Sequence, residues 1–255
     1  CDTLTLVRQL QDHGIRVLGS TIIGLEHHTP ENIDEVIESA ARYEADFHQF
    51  MLYMPLHGTP LHAELSAQGR MLDESICPHS DTHGQCRFNY RHPHIHDGRE
   101  TEYLLRAFQR DFDRNGPSML RIVRTGLTGW LRYKQHPDAR IRRRLQREFK
   151  DQAPVFAAAV AAARRYYRQD PVLREKMSAL LRDLVQEFGP KARRFGAVGG
   201  RYLYEKICDE QRRLAEGWTY EPPTFYDAND AALALPHSGH PLRRAQHVTP
   251  HSASR

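Results

Sequence analysis

The 255-residue sequence is poor in cysteine and has no long apolar run. Its four cysteines, Cys1, Cys77, Cys86 and Cys208, are too dispersed to form a local cluster motif. Scattered cysteines without a disulfide pattern are typical of a reducing compartment, so we expect a cytoplasmic protein. No apolar stretch approaches the roughly 20 residues that a helix needs to cross a bilayer, and the sequence therefore predicts no transmembrane segment.

Basic residues are scarce in the first hundred residues, and acidic residues are outnumbered in the next segment, although the net charge is only +4. Residues 1–100 carry seven basic and fifteen acidic side chains, whereas residues 101–215 carry 26 basic and thirteen acidic ones. The remaining residues carry three basic and four acidic side chains. This asymmetry is typical of a surface that binds nucleic acid or membrane, and also of a basic helical layer that packs against an acidic neighbour.

The stretch at residues 14–60 has the pattern of a strand, a helix and a second strand. The first strand is rich in aliphatic residues and ends at Gly24, a composition typical of a strand buried on both faces of a parallel sheet. Thr29 and Pro30 suit the start of a helix, because Thr caps exposed amides and Pro needs no hydrogen-bond acceptor for its nitrogen. The apolar face of this helix comprises Ile33, Val36, Ile37, Ala40 and Ala41.

The second strand is predicted from Phe47 to Met54, and a helix separates it from the first. Strands joined by a crossover helix lie parallel, and ligands of parallel sheets bind at the carboxyl ends of the strands. The predicted ligand edge therefore comprises residues 24–28 and 54–59.

Three motifs in this stretch resemble a known family. They are GIRVLGSTIIG at residues 14–24, Thr29-Pro30-Glu31, and PLHGTPL at residues 55–61. Their order and spacing resemble a late strand, a helix start and a P-x-P-G-T-P loop of radical SAM enzymes, in particular the branch that often carries an N-terminal cobalamin-binding domain. Glu26 and His27 replace a common Pro-Gly turn, and His57 replaces a proline, which affects the loop shape. A weaker likeness continues from Phe88 to Pro93 into the helices.

The resemblance implies an α/β fold: a partial TIM-barrel fragment with a parallel βαβ unit, followed by an all-α C-terminal extension. In the family, a 4Fe-4S cluster held by C-x3-C-x2-C reductively cleaves S-adenosylmethionine to methionine and a 5′-deoxyadenosyl radical. This sequence lacks that motif and begins at Cys1, so we expect it to be the C-terminal part of the enzyme, inactive alone. The implied cofactors are S-adenosylmethionine, the cluster with ligands outside this fragment, and cobalamin for methyl transfer.

The resemblance also implies site residues. Residues that match the adenosyl side of the family's pocket are Ile22, Ile23, Gly24, Pro55 and Gly58. The alternative is structural, because glycine at a strand end commonly serves a turn and the prolines fix the loop. The substrate side would carry His27, His28 and His57, since imidazole ordinarily titrates near neutral pH and suits proton transfer. The alternative for each histidine is a solvated loop residue. The substrate class would be a small or lipid-like molecule.

A zinc site is the other hypothesis raised by the histidines. Cys77, His79, His83 and Cys86 offer thiolate and imidazole ligands, but their spacing fits no standard finger. The sequence therefore predicts no metal ligands and assigns no catalytic residue.

The pattern divides the chain into four segments. Residues 1–69 are the barrel part, 70–97 an irregular His-rich linker, 98–217 a helical extension, and 218–255 a tail with disorder predicted from about residue 235. Proline and glycine separate the predicted helices of the extension at Gly116-Pro117, Pro137, Pro154, Pro171 and Gly189-Pro190.

Two alternatives to the cobalamin branch stay open. Arginines 140, 142, 143, 144 and 147, with aromatic residues on nearby helices, are compatible with an RNA-modifying radical SAM enzyme without cobalamin. Aromatic residues at helical spacing are more often core, and acidic residues interrupt the arginines, so nucleic-acid binding is disfavoured. The second alternative is a non-catalytic helical interaction module.

Overall fold

The computed structural model describes residues 2–73 and 87–217. Its elements are, in chain order, α1 (Thr3–Asp12), β1 (Leu18–Ile23), α2 (Ile33–Ala41), β2 (Phe47–Leu52), α3 (Pro60–Ala67), α4 (Arg99–Asn115), α5 (Ser118–Tyr133), α6 (Ala139–Leu145), a π-helical turn (Gln146–Lys150), α7 (Ala153–Tyr166) and α8 (Pro171–Ala215). The described part is mostly helical, with one small sheet.

The strands β1 and β2 pair in parallel, with Leu18 opposite Phe47 and Ile23 opposite Leu52. This confirms the predicted direction of the two strands and the crossover helix between them. Helix α2 begins at Ile33, one turn later than predicted. The intervening turn is held by the side chain of Asn32, which accepts a hydrogen bond from the backbone N–H of Thr29 at 2.8 Å.

The expectation that β1 is buried on both faces is wrong. Helices α2 and α4 cover one face of the sheet, where Ile23, Phe50 and Leu52 join a common core. The opposite side, called the open face below, comprises Leu18, Ser20, Ile22, Phe47, Gln49 and Met51. Leu18 is 60% exposed and Phe47 is 43% exposed. In the described residues β1 and β2 pair only with each other, so both outer strand edges lack a neighbouring strand.

A buried polar network connects the sheet to helices α4 and α5. Asp46, fully buried before β2, accepts hydrogen bonds from the Val17 backbone at 2.8 Å and from Thr125 of α5 at 2.6 Å. Arg121 of α5 donates to Asp111 of α4 at 2.7 Å, and both side chains are 8% exposed. Buried polar groups must find partners, and these contacts therefore fix the position of the sheet relative to the helices.

The helices α5, α7 and α8 enclose a second core with Leu120, Val123, Phe149, Met177 and Leu184. Helix α8 is interrupted at Gly189, whose φ of 69° and ψ of −151° lie outside the helical region. The two halves fold back on each other, because a Cβ on Gly196 would lie 3.5 Å from Leu181. The predicted break at Gly189-Pro190 is confirmed.

Contacts group the chain up to Gln211 into one compact unit. A second unit begins at Arg212, and the structure describes only its first residues, at the end of α8. None of the helices in the described ranges is both long and apolar enough to span a membrane.

Candidate functional site

The loops that follow β1 and β2 lie at the same edge of the sheet. Ile22 pairs with Met51 and Ile23 with Leu52 at the carboxyl ends of the strands. The backbone N–H of Tyr53 donates to the carbonyl of Ile23 at 2.8 Å, which continues the pairing to the start of both loops. Residues 24–28 and 54–59 are therefore neighbours, and parallel sheets bind their ligands at such an edge.

The two isoleucines at the end of β1 point to opposite sides of the sheet, as the two-residue period of a strand requires. Ile22 is 41% exposed on the open face, next to the partly buried Met51. Ile23 is fully buried and packs in the core under α2 and α4. Of the two, Ile22 is therefore the side chain that is accessible to a ligand.

Gly24 ends β1 in a left-handed conformation with φ of 80°. Its backbone N–H donates to Nδ1 of His28 at 3.0 Å, and its carbonyl accepts a hydrogen bond from the Tyr90 hydroxyl at 3.3 Å. A Cβ at this position would lie 2.3 Å from the ring of Phe88. The structure therefore requires glycine here for both backbone conformation and close packing, and both backbone polar groups already have protein partners.

Pro55 and Gly58 shape the loop after β2. Pro55 is buried, and its carbonyl accepts a hydrogen bond from Nδ2 of Asn89 at 3.0 Å. Gly58 is exposed with φ of 81°, and no atom lies within 4 Å of a Cβ built there. Thr59 then caps α3, because its hydroxyl accepts from the backbone N–H of His62 at 3.3 Å.

The three candidate histidines differ in environment. His28 is 2% exposed, and its Nδ1 accepts hydrogen bonds from the backbone N–H groups of Gly24 and Leu25. Burial lowers the pKa of His28 to about 4, helped by the nearby His27 and His92. The neutral imidazole stabilises the turn through these hydrogen bonds. With this pKa it is a poor proton donor at neutral pH.

His27 and His57 are exposed on the two loops. The ring of His27 lies edge-on to His28 with the centroids 4.6 Å apart, and the ring of His57 lies 4.9 Å from that of His62. These two side chains are the ones that a molecule bound at this edge can reach, so proton transfer at this site is a hypothesis about His27 and His57.

A segment that the sequence motifs did not assign to the site, residues 88–92, holds the two loops together; we call it the clamp. Tyr90 bonds to Gly24 and Asn89 bonds to Pro55, as described above. His92 donates from Nε2 to the carbonyl of Leu25 at 3.1 Å and accepts at Nδ1 from the Ile95 backbone, and burial lowers its pKa. The sequence does contain a feature that could have indicated the clamp. Aromatic and hydrogen-bonding residues are grouped there within an otherwise irregular stretch.

The clamp also leaves one buried polar atom unused. Among the described residues, no donor reaches Oδ1 of Asn89, although the residue is only 7% exposed. On the outer rim, Arg70 pairs with Glu26 at 3.0 Å and lies 5.7 Å from the centroid of the Tyr90 ring. Aromatic side chains of the clamp and the Arg70–Glu26 pair thus lie beside the loop after β1.

The cysteines and histidines of the zinc hypothesis, Cys77, His79, His83 and Cys86, lie outside the described residues. Within residues 2–73 and 87–217, His, Cys, Asp and Glu side chains form no group of three or more that could hold a metal ion.

Comparison of the chain with protein-family models, with curated proteins and with solved structures gives no match.

Proposed function

We propose that this chain is the C-terminal part of a radical SAM enzyme of the cobalamin-binding branch, and that residues 14–60 are a late βαβ unit of its barrel. The observation that supports the proposal is that the family-like motifs lie at the positions in the fold where the family would have them. The three family-like motifs occupy β1, the approach to α2 and the loop after β2, and the two parallel strands bring the first and third motifs to one edge.

The open face supports the same proposal. In a βα barrel, helices cover the outside of the strands, and side chains from all strands fill the interior. Here α2 and α4 cover one face of the sheet, while Leu18, Ile22 and Phe47 are exposed on the other. Two strands with both outer edges unpaired are marginal as an isolated sheet. Additional parallel strands would cover both the apolar face and the edges.

The residues at the strand ends fit the adenosyl side of a pocket for S-adenosylmethionine. Ile22 and Met51 are apolar, adjacent and on the open face, so they would pack against the flat adenine ring. Gly24 contributes the turn that ends β1, and Pro55 with Gly58 shapes the facing loop. When bound, the cluster and S-adenosylmethionine supply a radical, whereas the residues of this chain bind and orient the adenosyl group and part of the substrate.

The RNA-modifying alternative has little structural support. Arg140 pairs with Asp138 at 2.8 Å, and Arg144 pairs with Glu148 at 2.8 Å, so these arginines are partly neutralised by their own helix. Trp130 is 8% exposed and packs in the second core, where it cannot stack on a base.

The first test is the coding sequence upstream of Cys1. The proposal requires a C-x3-C-x2-C motif in the same reading frame, and a cobalamin-binding domain before it would identify the branch. A reading frame without that motif would remove the enzyme proposal altogether. The motif without the cobalamin domain would favour the RNA-modifying alternative.

The second test uses the complete polypeptide under anaerobic, reducing conditions, with 5′-deoxyadenosine as the measured product. We expect Ile22→Ala to raise the KM for S-adenosylmethionine about tenfold, because the adenine loses an apolar contact. The matched control is Leu18→Ala, on the same open face at the other end of β1, which should change KM less than about twofold. Equal effects of both substitutions would contradict the assignment of Ile22 to the adenosyl side.

A further inference from the structure

A cavity of about 440 Å³ in the helical layer is lined by five arginines and no carboxylate. It lies between α7 and the two halves of α8. Its charged side chains are Arg164, Arg165, Arg168, Arg174 and Arg201, and its remaining lining residues are small: Ala161, Ser178, Gly196, Ala197 and Gly200. This volume is within the range of small-molecule sites. The cavity with these ten lining residues is called the arginine pocket below.

Small residues bring the walls of the arginine pocket together. A Cβ on Gly200 would lie 2.7 Å from Cβ of Ala161, so α7 and the second half of α8 are in close contact at these positions. Arginines on the flanks of the two helices, such as Arg165 and Arg201, therefore border one cavity. Arg174 and Ser178 on the first half of α8 form the third wall.

Four of the five arginines have no carboxylate partner among the described residues, and for two of them the side chain has no polar partner there. In the part of the chain that the structure describes, no hydrogen bond or ion pair engages the side chain of Arg164 or of Arg174. Arg168 donates to the Tyr204 hydroxyl at 2.9 Å, and Arg165 lies 5.1 Å from the centroid of the same ring. Only Arg201 pairs with a carboxylate, Glu205 at 3.1 Å, and both side chains are largely exposed.

Like charges that line one cavity repel each other, so a bound anion would relieve the repulsion. The planar guanidinium offers two parallel N–H donors that match the oxygens of a phosphate group. We propose that the arginine pocket binds a soluble ligand through a group with two linked phosphates, a diphosphate. Its charge and its number of acceptor oxygens suit several arginines that approach from three sides.

The geometry favours a small molecule over a polymer. A protein that binds single-stranded nucleic acid has an elongated basic groove with aromatic side chains free to stack on bases. The arginine pocket is a single concavity, and the nearby Tyr204 is already in contact with Arg165 and Arg168. The proposal is independent of the radical chemistry proposed above, because none of its residues belongs to residues 14–60.

The experiment measures binding of inorganic pyrophosphate to the full chain by calorimetry at about 0.15 M salt, where surface charges are well screened. The test variant is Arg164→Gln with Arg174→Gln, which removes the two unpaired cations. The matched control is Arg143→Gln with Arg147→Gln, which removes two exposed charges from the segment of α6 and the π-helical turn. All four side chains are exposed, so we expect both double variants to fold, as circular dichroism will verify.

We expect saturable binding of pyrophosphate, weakened at least about tenfold by the test variant and less than about twofold by the control. Arg164→Lys with Arg174→Lys should give an intermediate loss, because lysine keeps the charge and loses the two-donor geometry. Absence of saturable binding, or equal losses in both double variants, would overturn the proposal. Tighter binding of single-stranded RNA or of anionic vesicles than of pyrophosphate, with equal losses in both variants, would also overturn it in favour of a general basic surface.

Discussion

The two hydrophobic cores of this chain differ in how completely they are enclosed. In the helical layer, Met177 and Leu184 are fully buried by α5, α7 and α8. In the sheet, Ile23 is equally buried, but Ile22 beside it is 41% exposed and Leu18 at the other end of β1 is 60% exposed. The core of the helical layer is therefore enclosed by its own helices, although Val172 and Val198 are exposed elsewhere on these helices. The sheet exposes apolar side chains of both strands on its open face.

Charge also differs between the two regions, and within the sheet region the charges of α2 and α4 are paired. The acidic helix α2 lies against arginines of α4, with Arg106 paired to Asp34 at 2.7 Å and Arg114 paired to Glu38 at 3.0 Å. Arg110 also pairs with Glu38, and this hydrogen bond is the main cause that lowers the pKa of that carboxyl group. The basic and acidic side chains of α4 are equal in number, so the basic excess of residues 101–215 lies in the helices that follow α4.

The largest predicted effect concerns the buried pair that joins the two regions. Arg121→Met leaves Asp111 buried without its counter-charge and removes the 2.6 Å hydrogen bond to the carbonyl of Ala45. We expect a loss of about 3–5 kcal/mol in the free energy of unfolding, measured by urea denaturation.

The control for this prediction is Arg182→Met, which breaks the exposed pair with Glu175. Exposed pairs contribute about 0–1 kcal/mol, so the control should stay near the wild-type stability. A loss below about 1 kcal/mol for Arg121→Met would mean that the sheet and the helical layer unfold independently of this pair.

The second prediction compares the two cores directly. Leu184→Ala creates a cavity in the enclosed helical core and should cost about 2–5 kcal/mol. Leu18→Ala on the open face removes a side chain that is 60% exposed, so the unfolding free energy should change by less than about 0.5 kcal/mol. A large loss for Leu18→Ala in the isolated chain would show that the open face is covered in solution.

The helices of the helical layer were predictable from the sequence because glycine and proline mark their ends. Gly116, Pro171 and Gly189 separate the helices where the pattern places the breaks, and the short joints follow from these residues. The parallel strands followed from the crossover helix between them. The prediction that β1 is buried on both faces was wrong. The composition of a strand indicates which side chains favour burial, but it does not indicate whether the chain contains a second layer to bury them.

The candidate site was predictable in part. The strand ends and their loops followed from the parallel topology, whereas the clamp did not, because Asn89, Tyr90 and His92 act through contacts to backbone groups more than 30 residues away. The role of His28 was also invisible in the sequence. Its ring folds back onto its own loop, and a residue's type alone does not reveal that contact.

The third prediction uses two glycines with the same conformation and different surroundings. Gly24 and Gly58 have φ values of 80° and 81°, but only Gly24 faces the ring of Phe88. Left-handed backbone costs alanine about 1–2 kcal/mol, which both substitutions share. Gly24→Ala adds an overpacking cost of about 1–3 kcal/mol.

Thermal or urea unfolding of Gly24→Ala and Gly58→Ala will measure this difference. If the two variants lose the same stability, the ring of Phe88 moves aside without cost, and the clamp is less rigid than the structure indicates. A larger loss for Gly24→Ala supports a site whose first loop is fixed before any ligand arrives, in contrast to the exposed second loop.

The smallest effect is the pH dependence that His28 adds to the sheet region. Because burial lowers its pKa from 6.5 to about 4, the unfolded chain binds more protons than the folded one between these two values. The contribution of His28 to the free energy of unfolding is therefore fully present above pH 6.5. It falls as the pH decreases towards 4, by about 2 kcal/mol after allowance for solvent screening. His48 and His92, whose pKa values burial also lowers, act in the same direction.

His28→Asn isolates this contribution, since the amide oxygen can still accept hydrogen bonds from the backbone N–H groups of Gly24 and Leu25 but does not titrate. We expect the decline in unfolding free energy between pH 6.5 and 4 to become shallower in this variant, measured by urea denaturation at several pH values. The control is His27→Asn at the exposed neighbouring position. It removes a secondary cause of the lowered pKa of His28 and keeps burial, the main cause, so it should change the slope less than His28→Asn does. An unchanged slope in His28→Asn would mean that the loop opens before His28 is protonated, and the site would then be ordered only when a ligand or a covering layer is present.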